Sequence, residues 1–126
     1  MFTTLIDLCK TVFEYLRNEG ELRLETRLRV SGILEEISDI LRDTAIKLKS
    51  DEYPHFNCVL LERLSDNLHF NLIEHIKAEQ LDRLHSLLKE SSQIEKLYHE
   101  RHEPNVIHEI EKTSAEFKAL ALMMKF

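Results

Sequence analysis

Glycine and proline are nearly missing from this chain, with two of each in 126 residues. Strands and hairpins depend on those residues for their turns, so a sandwich, barrel or β-rich fold is excluded. Cysteine is equally scarce. Cys9 and Cys58 are far apart and form no CxxC pair, which removes a zinc ribbon or a dithiol redox site. Each thiol reads as a small buried hydrophobe, with an inter-helix disulfide as the alternative. No run of 18 uncharged apolar residues exists, so no spanning helix is expected. The apolar N-terminal stretch has no basic lead and is interrupted by Asp7, Lys10 and Glu14, unlike a secretory signal. A cytoplasmic, soluble protein is the expectation. Basic excess is lacking too. The formal net charge of −6 argues against nucleic acid or an anionic membrane as the main partner.

What remains is a helical composition. Hydrophobic residues make up 43% and charged residues 32%, enough for one core in one domain over residues 1–126. Leu, Ile, Glu and Lys dominate, and all are moderate to good helix formers. The chain predicts an all-α, antiparallel up-and-down bundle of four to five helices. Residues 1–18 form an amphipathic first helix, with Thr3 or Thr4 as its cap and Asp7 in its first turn. Gly20 either ends it or leaves it continuous with the long second helix over 21–49. In that helix Val30, Ile33, Ile37, Ile40, Leu41, Thr44 and Leu48 recur at three and four residues and define the inward face. Arg29, Glu35, Glu36, Asp39 and Arg42 take the other side. Further helices are expected over 54–77 (Leu60, Leu61, Leu64, Leu68), 78–100 (Leu81, Leu84, Leu87, Leu88, Ile94, Leu97) and 105–125 (Val106, Ile110, Phe117, Leu120, Ala121, Met124). Pro54 suits a first helical turn and Pro104 breaks the fourth helix.

Seven histidines raise the question of metal. His99 and His102 share a helical face with Glu95 one turn earlier, a spacing that holds zinc when a second helix completes the set. No second half-site is evident, and the paired Glu-x-x-His motifs of di-iron bundles are absent. Solvated histidines, no metal and no cofactor are the expectation. His55 and Cys58, also three apart, read as half a site or an activated thiol, or else as a surface histidine beside a packed cysteine. Arg17, Arg23, Arg27 and Arg29 alternate with Glu19, Glu21 and Glu25, the pattern of a salt-bridged solvated face.

Glycine-rich phosphate loops, nucleophile elbows and zincin motifs are lacking. One catalytic resemblance exists. Arg101-His102-Glu103-Pro104-Asn105-Val106-Ile107-His108 resembles the Arg, polar residue, spacer, His motif of HEPN ribonucleases, small helical proteins that act as dimers. The resemblance implies Arg101, with His102, holding phosphate charge and His108 moving protons, without metal. A second resemblance covers more of the chain. Arg29-Val30-x-x-Ile33-Leu34-Glu35-x-Ile37-Ser38 and Tyr53-Pro54-His55-x-x-Cys58 resemble small helical proteins of bacteria, cyanobacteria in particular. It implies an all-helical fold in a bacterial cytosol and carries no activity.

The first helix is the most suggestive element. Phe2, Leu5, Ile6, Val12, Phe13 and Leu16 give it a wide apolar face. That face packs into the core, docks a partner, or inserts into a membrane as in HeLo-type cell-death domains, which the layout loosely resembles. Lys10 and Arg17 are few cations for an interfacial helix. The best-supported expectation is a non-enzymatic interaction module that self-associates or binds a helical protein. Helix one, with Met123, Met124 and Phe126, would supply its contact surface.

Overall fold

The computed structural model describes residues 2–18, 20, 22–91, 94–103 and 105–126, and only the backbone of residues 2, 3, 91, 94 and 95. Six helices account for most of them: α1 (Phe2–Asn18), α2 (Leu24–Lys49), α3 (His55–Leu72), α4 (Ala78–Ser91), α5 (Ile94–His99) and α6 (Val106–Lys125). No strand occurs among the described residues, and the all-α bundle is as expected.

Helices one and two are separate. α1 ends at Asn18, and Gly20 takes a left-handed φ of 61°. This backbone state suits glycine because it has no Cβ. α1 also starts at Phe2, ahead of both threonines proposed as its cap. The far end of α2 closes without glycine. Glu52 N–H reaches the Lys47 carbonyl at 2.8 Å and Asp51 N–H the Leu48 carbonyl at 3.2 Å, with Asp51 left-handed at φ 58°. Aspartate tolerates that state better than most side chains.

α2 packs against α6 and α3, α6 against α1, α1 against α4, and α4 against α3. The α2–α6 pair is antiparallel and very close. Ser31 Oγ donates to the Ala121 carbonyl at 2.6 Å and Ser38 Oγ to the Ser114 carbonyl at 2.7 Å. Ser114 Oγ returns a bond to the Ser38 carbonyl at 2.6 Å. A serine hydroxyl is short, so such bonds require the two backbones to approach closely. Ser31, Ser38 and Ala45 recur every seven residues on α2, as do Ser114 and Ala121 on α6, and all five are buried. At that interval small residues fall on one seam. Lys118 to Glu35 (2.7 Å) and Lys10 to Glu116 (3.2 Å) flank the assembly.

The core is Leu-rich, with Phe13 and Phe117 fully enclosed. Of the expected inward face of α2, Val30, Ile37, Leu41, Thr44 and Leu48 are buried, while Ile33 and Ile40 are half-buried against the core. Ser31, Leu34, Ser38 and Ala45, which the expectation left out, are buried too. On α3, Leu60 is exposed and Leu61, Leu64, Leu68 and Leu72 point inward. Met124 belongs to the core and Met123 packs against it, whereas Phe126 is exposed. The helix expected over 78–100 is observed as α4 and α5, and Pro104 lies outside the described residues.

Buried Asn57 ties α3 to α2. Its Nδ2 donates to Asp43 Oδ2 (3.0 Å) and Thr44 Oγ1 (2.9 Å), and its Oδ1 accepts from Lys47 Nζ (3.0 Å). The Asn57 amide, aided by Lys47, holds the Asp43 carboxyl below its ordinary value of 3.8. A lowered carboxyl contributes stability above its unfolded pKa and loses it as pH falls through the folded one.

Three outcomes are expected. Ser38→Leu forces the α2–α6 backbones apart and destabilises the protein by about 1–3 kcal/mol in urea unfolding. Ser38→Ala, which removes one hydrogen bond without adding bulk, costs about 1 kcal/mol. Asn57→Ala returns the Asp43 titration toward 3.8, seen in carboxyl NMR shifts, and reduces the pH dependence of stability that Asp43 supplies below that value, Lys47 keeping a share.

Candidate functional site

The face of α1 expected to dock a partner is consumed inside the fold. Leu5, Ile6, Val12, Phe13 and Leu16 are all buried, while the Phe2 side chain lies outside the described residues. Its neighbours are α4 and α6 of the same chain. A wide apolar stripe on a terminal helix reads the same from sequence whether its cover is internal or external. Among the described residues no helix is long and apolar enough to cross a membrane.

The ribonuclease-like residues are held apart in role. Arg101 Nε donates to Asp51 Oδ1 at 3.1 Å and its Nη1 to the Tyr98 carbonyl at 2.6 Å. Its guanidinium lies 3.8 Å from the Tyr98 ring centre, and Tyr98 meets Tyr53 edge-on. Arg101 thus clamps the α2–α3 loop to the segment after α5, with the left-handed Asp51 as anchor. His102 is exposed, 3.9 Å from the same Asp51 oxygen. His108 is exposed and lines an open groove of about 330 Å³ with Asp7, Lys10, Lys112 and Glu116. Among the described residues no hydrogen bond or ion pair joins Arg101 to His108. Two of the five N–H donors of the Arg101 guanidinium are engaged by Asp51 and Tyr98.

His99 is exposed beside Tyr98, and the Glu95 side chain is not described. No three His, Cys, Asp or Glu side chains among the described residues are gathered as they would be around an ion. Both cysteines are free and buried. Burial raises both thiols, Cys58 to about 11 and Cys9 further. His55 is exposed and meets the Phe56 ring edge-on. Of the arginine run, Arg29 bonds Glu25 and Asn71, while Arg27 donates to the Met124 carbonyl at 3.1 Å. That last contact places a cation at the negative end of α6.

Two features escaped the sequence reading. The first is the outer face of α3. Phe56 is 76% exposed, Phe70 77% and Leu60 47%, with Val59 also exposed. At 100° per residue, positions 56, 59, 60, 63, 67 and 70 share a sector about 100° wide. The helix is therefore apolar on two faces, and in sequence the two merge into an irregular run. The second feature is a repeated spacing. Asp66-x-x-His69 on α3 and Asp82-x-x-His85 on α4 face each other. His85 Nε2 lies 2.7 Å from Asp66 Oδ1, His69 Nε2 lies 3.8 Å from Asp82 Oδ1, and the two rings are centred 4.7 Å apart. Lys89 Nζ also reaches Asp66 at 3.3 Å. The His85 contact, then Lys89, holds the Asp66 carboxyl below its ordinary range. A search for Glu-x-x-His passes over both motifs, although aspartate carries the same chemistry on a shorter arm.

The chain matches no protein-family model, no curated protein and no solved structure.

The thiols give a direct check. In the native protein at pH 8, Cys9 and Cys58 react with a disulfide reagent far more slowly than a free thiol of pKa about 8.5. Both react at once in denaturant. Rapid modification of either thiol in the folded chain contradicts their enclosure.

Proposed function

We propose that this chain is a non-enzymatic interaction module that self-associates through the outer face of α3. The observation that carries the reading is the Phe56, Val59, Leu60 and Phe70 stripe. Single exposed apolar residues are ordinary on protein surfaces. Two phenylalanines exposed at 76% and 77% and aligned on one helix face with Val59 and Leu60 exceed that background. By the helical rise, Phe56 and Phe70 stand about 21 Å apart along α3.

The composition of the face supports the same reading. Aromatic side chains and arginine supply much of the energy in protein interfaces, and Arg63 sits midway between the two phenylalanines. Beside it, Glu36 and Asp39 of α2 share a groove with Leu60, Arg63 and Asn67. Cation and carboxylates on one surface give a second copy charges of both signs to meet. Phe56 and Phe70 are each seven residues from Arg63, so an antiparallel pairing of two α3 helices brings Phe56 of each copy toward Phe70 of the other. An amphipathic helix from another protein would use the same knobs, in the helix-in-groove mode.

Light scattering after size exclusion tests this. The wild-type chain elutes as a dimer or larger at high micromolar concentration. Phe56→Ser with Phe70→Ser gives a monomer whose helical circular dichroism is unchanged, since neither ring is part of the core. A wild-type monomer at that concentration, or an assembly indifferent to both substitutions, overturns the proposal.

A further inference from the structure

We infer that the crossed Asp-x-x-His motifs of α3 and α4 form a binding site for a divalent transition-metal ion of the zinc class. Each helix contributes one imidazole and one carboxylate three residues apart, hence on one face. The antiparallel hairpin sets Asp66 opposite His85 and His69 opposite Asp82. The 4.7 Å between ring centres makes the two pairs one cluster. Two nitrogens and two carboxylate oxygens are a donor set that zinc accepts in tetrahedral geometry. Both histidine side chains keep about a quarter of their surface, 27% and 26%, which leaves an ion a path from solvent.

Among the described residues no three donors converge on one point in the metal-free arrangement, so loading draws the two pairs together on one ion as well as adjusting each pair. Two ligands on one tetrahedral ion with bonds near 2.0–2.1 Å stand about 3.3 Å apart. The present separations bracket that value, at 2.7 Å for Asp66 with His85 and 3.8 Å for Asp82 with His69. Adjustments of roughly half an ångström bring each pair to coordination distance. Chemically, the proton shared between His85 Nε2 and Asp66 gives way to the ion. The imidazole then carries its proton on Nδ1 and offers the Nε2 lone pair. The Lys89 ammonium on Asp66 opposes the incoming cation and moderates affinity. Among the described residues no facing helix brings a matching pair of donors to His99 and His102.

The test titrates Zn²⁺ calorimetrically into protein first stripped with a chelator. One ion per chain is expected, with a rise in Tm on binding. Co²⁺ in its place gives the strong visible absorption of a four-coordinate site. His69→Gln and His85→Gln each weaken Zn²⁺ at least tenfold, and the double variant shows neither the Tm rise nor the Co²⁺ spectrum. Glutamine keeps a hydrogen bond to aspartate, so circular dichroism of the variants matches wild type. His99→Gln with His102→Gln leaves binding unchanged. Zn²⁺ held equally well by the His69→Gln/His85→Gln double variant overturns the inference. So does affinity that follows His99 and His102, or no binding by the wild-type chain.

Discussion

The close approach of α2 and α6 is the constraint on which the other packing depends. Ser31, Ser38 and Ala45 on one helix and Ser114 and Ala121 on the other leave no bulk between the backbones. Each serine hydroxyl, having no water to turn to, donates across the seam to a carbonyl that already accepts a helical bond. Such hydrogen bonds contribute about 1 kcal/mol each. Their larger effect is on register, because an antiparallel slide by one residue would leave the hydroxyls buried and unpaired. Once α6 is fixed on α2, Phe117 and Ile110 enter the core, α6 meets α1, and the Leu side chains of α3 and α4 complete the same cluster.

Much of this was legible in the sequence and some was not, for identifiable reasons. Helix class and most helix bounds follow from leucine periodicity and from the near absence of glycine and proline. The inward face of α2 was read only in part, because periodicity arguments count large apolar residues, while its tightest contact is made by the small Ser31, Ser38 and Ala45. On α3 the same bias hid an outward stripe, since Leu60 and Leu61 look alike in a list of leucines and face opposite ways. The α1 residues were recognised as a face that must be covered, and only the fold shows that the cover comes from α4 and α6. The Asp-x-x-His repeat was present in plain spacing. Its meaning depends on the α3–α4 turn that sets the motifs opposite each other, which is a tertiary fact.

α3 consequently holds three environments around one circumference. Leu61, Leu64, Leu68 and Leu72 face the core, Asp66 and His69 flank α4, and Phe56 with Phe70 faces solvent. Buried Asn57, on the core side, and Asn71 at its edge bond α2. Substitutions along it separate cleanly into those that unfold the bundle, those that alter the cluster, and those that change only what meets the outside.

The pairing of α2 with α6 also has a bearing on biosynthesis. Arg27 bonds Met124 across 97 positions of chain, and Ser31 bonds Ala121 across 90. At translation speeds of some 5–20 residues per second, α1 and α2 leave the ribosome several seconds before α6 exists. Through that interval the serine seam and the α1 face that ends against α6 are bare, and the α2–α3 and α3–α4 hairpins are the units able to close on local contacts. A helical protein of this kind therefore folds with the sequence separation usually met in β-sheet proteins. Its nascent chain is exposed to hydrophobic capture by chaperones until the final helix arrives.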